Sequence, residues 1–337
     1  MGKKLVNLAL QGGGSHGAFT WGVLDYFMED GRVSIEGISG TSAGAMNAAV
    51  LAQGYMDGGA TGAREALEAF WRKVSQIALN SPIKRTPLDV LTGNWSLDAS
   101  PAYLTYDLLS RVVSPYVANP LNLNPLRDLV ETQIDFDKVR ACDALNLFIA
   151  ATNVHSGKIK VFERHELTAD MLLASACLPT LYQAVEIDNV PYWDGGFVGN
   201  PPLYPLFNKA RSRDVLIVQI NPVTRNETPI TAREILNRSN EISFNSSLLR
   251  ELRAIDFVHR LLEENKLDAK TYTDVLVHRI AGSEQLSMLS ASSKLNAEWD
   301  FLAHLRDIGR ECAKTFIDQH YDDLGKHSTL NLREEFS

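Results

Sequence analysis

Apolar residues fall along this chain in two rhythms. The short runs "KLVNLAL", "VSIEGIS", "LNLFIAATNV", "DVLIVQI" and "DVLVHRIA" have the length and β-branched content of buried strands, and longer stretches of helical spacing separate them. In "GAFTWGVLDYFMEDG" the side chains of Phe19, Val23 and Tyr26 or Phe27 share one helical face, and Gly31 supplies a stop. With a strand on either side this is a βαβ unit. "AGAMNAAVLAQG" predicts a helix of small residues, able to lie close to a sheet. "GKIKVFE" and "AVEIDNVPYW" read as antiparallel additions, the second folding back at Asp188-Asn189. "TADMLLASACLP" predicts a short helix ended by Pro179. Two further helices are expected, one within residues 231–265 and one from about Asn296 to Tyr321, where Trp299, Leu302, Leu305, Ile308 and Cys312 recur at three- and four-residue steps. Strands alternating with helices argue for an α/β fold with a mostly parallel sheet.

Residues 80–137 break both rhythms, mixing prolines, asparagines and aromatics, and long loops of this kind are usually functional or disordered. Leu88, Val90, Leu91, Trp95, Tyr103 and Leu104 favour a flap over a site; an ordinary helical insertion packed on the core is the competing reading. No repeat or linker divides the chain. A single domain over residues 1–337 is expected, with its motifs in 5–205 and a helical and strand portion over 206–330.

Composition narrows the classes. At 337 residues and 45% hydrophobic content the chain can bury a sizeable core. Lys plus Arg (33) less Asp plus Glu (41) leaves −8, so no broad basic surface is offered to nucleic acid, and contact with an anionic membrane needs a local basic patch. Cys142, Cys177 and Cys312 share no metal-ligand spacing and suit a reducing compartment. The run after Lys3 and Lys4 is too short for a secretory leader, Val6 breaks the acylation pattern that Gly2 begins, and no stretch reaches spanning length free of charge. A soluble, cytoplasmic protein is the expectation.

The chemistry concentrates in three blocks. "GISGTSAGAMNAA" holds Gly40-Thr41-Ser42-Ala43-Gly44, a G-x-S-x-G between a buried strand and a small-residue helix, where a strained turn projects the serine hydroxyl and flanking glycines avoid collision. "LALQGGGSHGAFTWG" allows two readings. Gly12-x-Gly14-x-x-Gly17 fits a dinucleotide turn, but the next strand runs into the serine elbow rather than ending in a ribose-binding acid. The alternative is a set of bare N–H donors, those of Gly13 and Gly14, for the oxyanion of an acyl-transfer intermediate. A serine needs a base. His259, His278 and His304 follow in the chain order of a triad, yet one lies in a strand and two on helices, and "HELTAD" at His165 lacks the second histidine of a zinc motif. The other base is Asp194 in "VPYWDGGFVGNPP", shielded by Tyr192 and Trp193 and freed to turn by Gly195 and Gly196.

Taken together these blocks resemble the patatin-like phospholipases, in particular bacterial-type members. The family's G-G-G-x-[KR]-G block resembles Gly12 to Gly17, its nucleophile block resembles Gly40 to Gly44, its D-G-[GA] block resembles Asp194-Gly195-Gly196, and "ASACLPTLY" is similar to its A-S-x-A-x-P segment. His16 departs from the expected Lys or Arg, and residues 210–337 carry no matching motif. The resemblance implies a three-layer α/β/α fold around a mostly parallel sheet and hydrolysis of lipid esters, phospholipid, lysophospholipid or acylglycerol, by a dyad of Ser42 and Asp194. It implies an oxyanion hole from Gly12, Gly13 and Gly14, and no cofactor or metal. Lys84-Arg85 is a candidate contact for a head-group phosphate, with a solvated surface pair as the ordinary reading; Asn153 and His155 are pocket or turn residues. A soluble carboxylester or thioester hydrolase, or a non-catalytic lipid-binding protein on the same scaffold, are the alternatives. Peripheral membrane contact is an open expectation, as is the oligomeric state.

Overall fold

The computed structural model describes residues 2–335. Its sheet contains eight strands: β1 (Lys4–Leu10), β2 (Val33–Gly40), β3 (Asn146–Asn153), β4 (Ile159–Glu163), β5 (Val185–Ile187), β6 (Val190–Asp194), β7 (Asp214–Gln219) and β8 (Leu276–Ala281). β3, β2, β1, β7 and β8 lie side by side and parallel; β4, β6 and β5 are antiparallel additions. The predicted fold class is the one observed, and the β5–β6 turn falls at Asp188-Asn189, both at positive φ (51° and 61°), as a tight hairpin of this hand requires.

The pleat sends alternate residues to opposite faces, and both faces are covered. Val6, Leu8 and Leu10 of β1 and Leu216 and Val218 of β7 join one buried cluster, while Ala9, Val215 and Ile217 between them join another. Helix α1 (Gly17–Asp30), helix α2 (Ala43–Ala78) and the helix Trp299–His320 pack on the first face. The helix Ala232–Glu263 covers the second through Leu248, Leu252 and Ile255. α2 runs well past the small-residue stretch that announces it and doubles back at Gly58-Gly59, where Gly59 takes φ 60°. Beyond that bend, Ala63, Leu67, Phe70 and Trp71 return to the core.

The arrangement that positions a site lies along one edge of β3. β4 occupies one side of this strand over Phe148–Thr152, so β2 and β6 must share the other. They approach from opposite directions and stop head to head. Gly40, the last residue of β2, sits opposite Ile149, and Asp194, the last of β6, opposite Ala151. Two residues of strand separate those positions, about 7 Å.

Residues 80–137 differ from the irregular loop their composition suggests. They form the short helices Pro87–Leu91, Pro101–Ser110, Pro115–Ala118 and Pro125–Gln133, and Phe136–Ala141 begins at their end. Proline opens four of them, after Thr86, Ser100, Ser114 and Asn124, because its missing N–H costs nothing in a first turn. Trp95 and Tyr103 turn inward, whereas Leu88, Val90 and Leu91 face solvent at 69%, 56% and 85% exposure, so those three cover nothing.

Candidate active site

β2 ends in a turn that the chain can make only with glycine on both sides. A Cβ on Gly40 would stand 2.9 Å from the Ala45 nitrogen, and one on Gly44 would strike the Leu10 carbonyl. Ser42 between them is held at φ 53°, ψ −120°, a conformation that costs a non-glycine residue roughly 1–3 kcal/mol. The surroundings hold it there. Its N–H donates to Ser175 Oγ at 2.9 Å, and its carbonyl accepts from Met46 N at 3.0 Å as α2 begins.

Asp194 is equally constrained. Its N–H donates to the Cys177 carbonyl (2.8 Å), and its own carbonyl accepts from Thr152 Oγ1 (2.7 Å). "ASACLP" therefore serves both neighbours at once: Ser175 grips the serine backbone and Cys177 the aspartate backbone. The Asp194 side chain is 2% exposed, and its Oδ1 accepts from Gly196 N at 2.7 Å. The Ser42 hydroxyl is the other polar group that acts on this carboxyl. Burial dominates and pushes the carboxyl up to about 7, with the Gly196 N–H and the Ser42 hydroxyl pulling the other way. Gly195 lets the chain pass against the Ala150 carbonyl, and Gly196 accommodates the Phe244 ring. Neither Asn153 nor His155 reaches this group: Asn153 Oδ1 accepts from Ser156 N in an ordinary turn, and His155 is exposed there.

The glycine block arrives from β1. A Cβ on Gly12 would lie 2.7 Å from Ser42 Cβ, so this glycine gives the serine room. It does not serve as a free donor, because its N–H is committed to Asn200 Oδ1 at 2.7 Å. The N–H groups of Gly13 and Gly14 have no acceptor among the described residues. Gly14 takes φ 58° with the Lys294 carbonyl over the place a side chain would fill.

No imidazole takes part in this cluster. His259 pairs with Asp274 (2.7 Å), His278 with Asp214 (2.9 Å), and His304 stacks on Trp95. His16 is buried, donating to or accepting from Ser293 Oγ at 2.8 Å, and burial, aided by Lys294 and Arg225, keeps it neutral by lowering its pKa. The candidate phosphate contact is also withdrawn. Arg85 pairs with Glu298 at 2.5 Å and stacks on Trp95, while Lys84 donates to the Leu79 carbonyl. Among the described residues no group of three His, Cys, Asp or Glu could hold a metal ion, and no helix is long and apolar enough to cross a membrane.

Several residues of the site carry no motif. Asn200 holds the Gly12 N–H, and Asn221 Nδ2 donates to the Gly12 carbonyl at 2.7 Å. Gln11 is buried behind them, its Oε1 accepting from the backbone N–H of Ile220 and Asn221 and its Nε2 donating to Asn245 Oδ1. Gln11 adjoins the glycines and so was within reach of a sequence reading; Asn221, Asn245 and Lys294 lie 200 or more residues away in a segment without pattern.

Comparison with solved structures finds VipD from Legionella pneumophila, at 16% identity and TM-score 0.46 over 94% of this chain and 67% of that one. It also finds ExoU in its complex with SpcU from Pseudomonas aeruginosa, at 18% identity and TM-score 0.40 over 95% of this chain. The chain spans about two thirds of the VipD structure and about half of the ExoU structure. No curated protein sequence matches it. The model of the patatin-like phospholipases matches residues 8–207, more than half the chain and all three motif blocks, and the protein therefore belongs to that family of lipid acyl hydrolases.

Proposed function

We propose that the protein hydrolyses carboxylic esters of lipids through a dyad of Ser42 and Asp194. The observation that carries this reading is the placement of the Ser42 hydroxyl beside a buried carboxyl whose pKa burial raises to about 7. A carboxylate so placed is basic enough to take the serine proton at neutral pH. Ser42 attacks the ester carbonyl, its proton passes to Asp194, and the tetrahedral oxyanion collapses by expelling the alcohol, which leaves protonated. Water, deprotonated by the same carboxylate, then releases the acid and regenerates the serine. The unengaged N–H groups of Gly13 and Gly14 are the donors for the oxyanion, and the start of α2 adds a favourable dipole.

Aggregated lipid is the substrate form that the surface around residues 87–123 favours. Leu108, Val112, Val117, Leu121 and Leu123 are 66–80% exposed there. The charged residues of that stretch are all engaged: Asp89 in a capping box with Thr86, Asp98 with Arg233, and Asp107 with Arg111. The segment also bonds to the loop between Cys177 and β5, where Gln183 donates to the Asn119 carbonyl and Tyr116 accepts from Ala184 N. An apolar, charge-poor surface joined to the loop beside Asp194 suits peripheral contact with a lipid interface. Three unpaired cysteines suit a cytoplasmic setting.

A fluorophosphonate probe should label the wild-type chain and leave Ser42→Ala unlabelled; equal labelling of both ends the dyad reading. Hydrolysis of a short-chain phospholipid should rise sharply as it passes its micellar concentration. A rate that stays proportional to monomer identifies a soluble esterase instead.

A further inference from the structure

His16 occupies the position at which the resembling motif carries a cation, and it is buried and neutral. A cation linked to the glycine block comes from far along the sequence. Lys294 Nζ donates to Asn221 Oδ1 at 2.8 Å, and Asn221 Nδ2 donates to the Gly12 carbonyl at 2.7 Å. Its charged neighbours are Glu241 and Arg225; Glu241 is itself shared by Arg225 and Arg238, at 2.6 and 3.2 Å, so Lys294 stands in a cluster with cations in excess.

The geometry points to Lys294 as a positioning residue for the oxyanion hole, acting through Asn221 on the Gly12–Gly13 peptide. The Gly12 carbonyl and the Gly13 N–H belong to one planar unit and point in opposite directions, so a donor fixed on the oxygen aims the N–H the other way. A hydrogen bond to the carbonyl also polarises the peptide and strengthens its N–H as a donor, the more so when a charge stands behind the donor. The remaining contacts fix the same loop. Gln11 Oε1 accepts from Asn221 Nδ2 at 3.2 Å, which orients the amide so that its oxygen faces Lys294, and the Lys294 carbonyl lies against Gly14. One residue thus governs two successive glycines: its ammonium through Asn221, its backbone by direct contact. The cation lost from position 16 is supplied by residue 294.

The inference rests on the dyad reading, and the test separates the two. The full chain and its Lys294→Met, Lys294→Arg, Asn221→Ala and Lys294→Met/Asn221→Ala variants are compared on a monomeric nitrophenyl ester and by the rate of fluorophosphonate labelling, with melting temperature recorded. Lys294→Met should lower kcat roughly 10- to 100-fold with KM little changed and slow labelling in parallel, since the loss is of a transition-state donor. Lys294→Arg should restore most of kcat. The double variant should be no slower than the slower single one, as expected for links in one chain. Lys294→Met with kcat within about twofold of wild type overturns the relay, as do single effects that multiply; if Lys294→Met fails to fold, Asn221→Ala and Lys294→Arg decide alone, and Asn221→Ala with unchanged kcat overturns it. A folded wild-type chain that neither turns over nor takes the label overturns the dyad, and the relay with it.

Discussion

Two regions of this molecule use the same residue types for opposite ends. Around the glycine block, Ser42 and Asp194, the polar backbone groups are gripped: Gly12 by Asn200 and Asn221, Ser42 by Ser175, Asp194 by Cys177 and Thr152. From Pro87 to Leu123 the helices Pro87–Leu91 and Pro115–Ala118 are capped by their own Thr86 and Ser114, and many apolar side chains face outward. In the proposed mechanism the first region is a preorganised centre, in which fixed donors need no rearrangement when charge develops. The second is a surface whose apolar area is buried only when something covers it. Rigidity and exposure are divided between them along one chain.

The largest effect should come from the first region. Ser42→Ala should reduce turnover by roughly 10⁴-fold or more while melting at or above the wild-type temperature, since strain at φ 53° is no worse for alanine. Turnover itself should fall about tenfold per pH unit below about 7, as the Asp194 carboxylate takes up a proton, and a rate flat from pH 5 to 8 would exclude this carboxylate as the base. The same shift has a stability consequence of definite sign. Because the folded value, about 7, lies above the ordinary carboxylate value of 3.8, burial costs nothing below 3.8 and its full penalty is felt above 7. Asp194→Asn should thus be inactive yet more stable than wild type at pH 8, with the gap closing near pH 4 in denaturant titrations.

Gly14→Ala sets a left-handed backbone (φ 58°) and the Lys294 carbonyl against a side chain, and should cost roughly 10- to 100-fold in kcat. In the second region, replacing Leu108, Val112 and Val117 by serine should lower vesicle hydrolysis by about tenfold and leave a monomeric ester unaffected. Equal losses on both substrates would erase the contrast drawn above. The smallest effect belongs to Lys84→Ala, whose exposed ammonium meets only the Leu79 carbonyl; both activities should stay within about twofold.

Sequence alone determined a good deal. The five parallel strands were legible because each is largely buried on both faces and reads as a mostly apolar run, interrupted by single polar residues such as Asn7 and Glu36. The serine elbow was legible because only glycine tolerates its neighbours, and Asp188-Asn189 because a hairpin turn at positive φ selects such residues. Residues 80–137 left a flap and a helical insertion open, and the short helices found there begin at prolines that follow a serine, threonine or asparagine. What tertiary structure alone decided is who meets whom. Ser42 and Asp194 come together because two strands end head to head on one edge of β3, and pairing between distant segments leaves no trace in the local composition of either. The same holds for Asn200, Asn221 and Lys294: local pattern records what a residue's own backbone needs, whereas a hydrogen bond across 200 residues is recorded only in space.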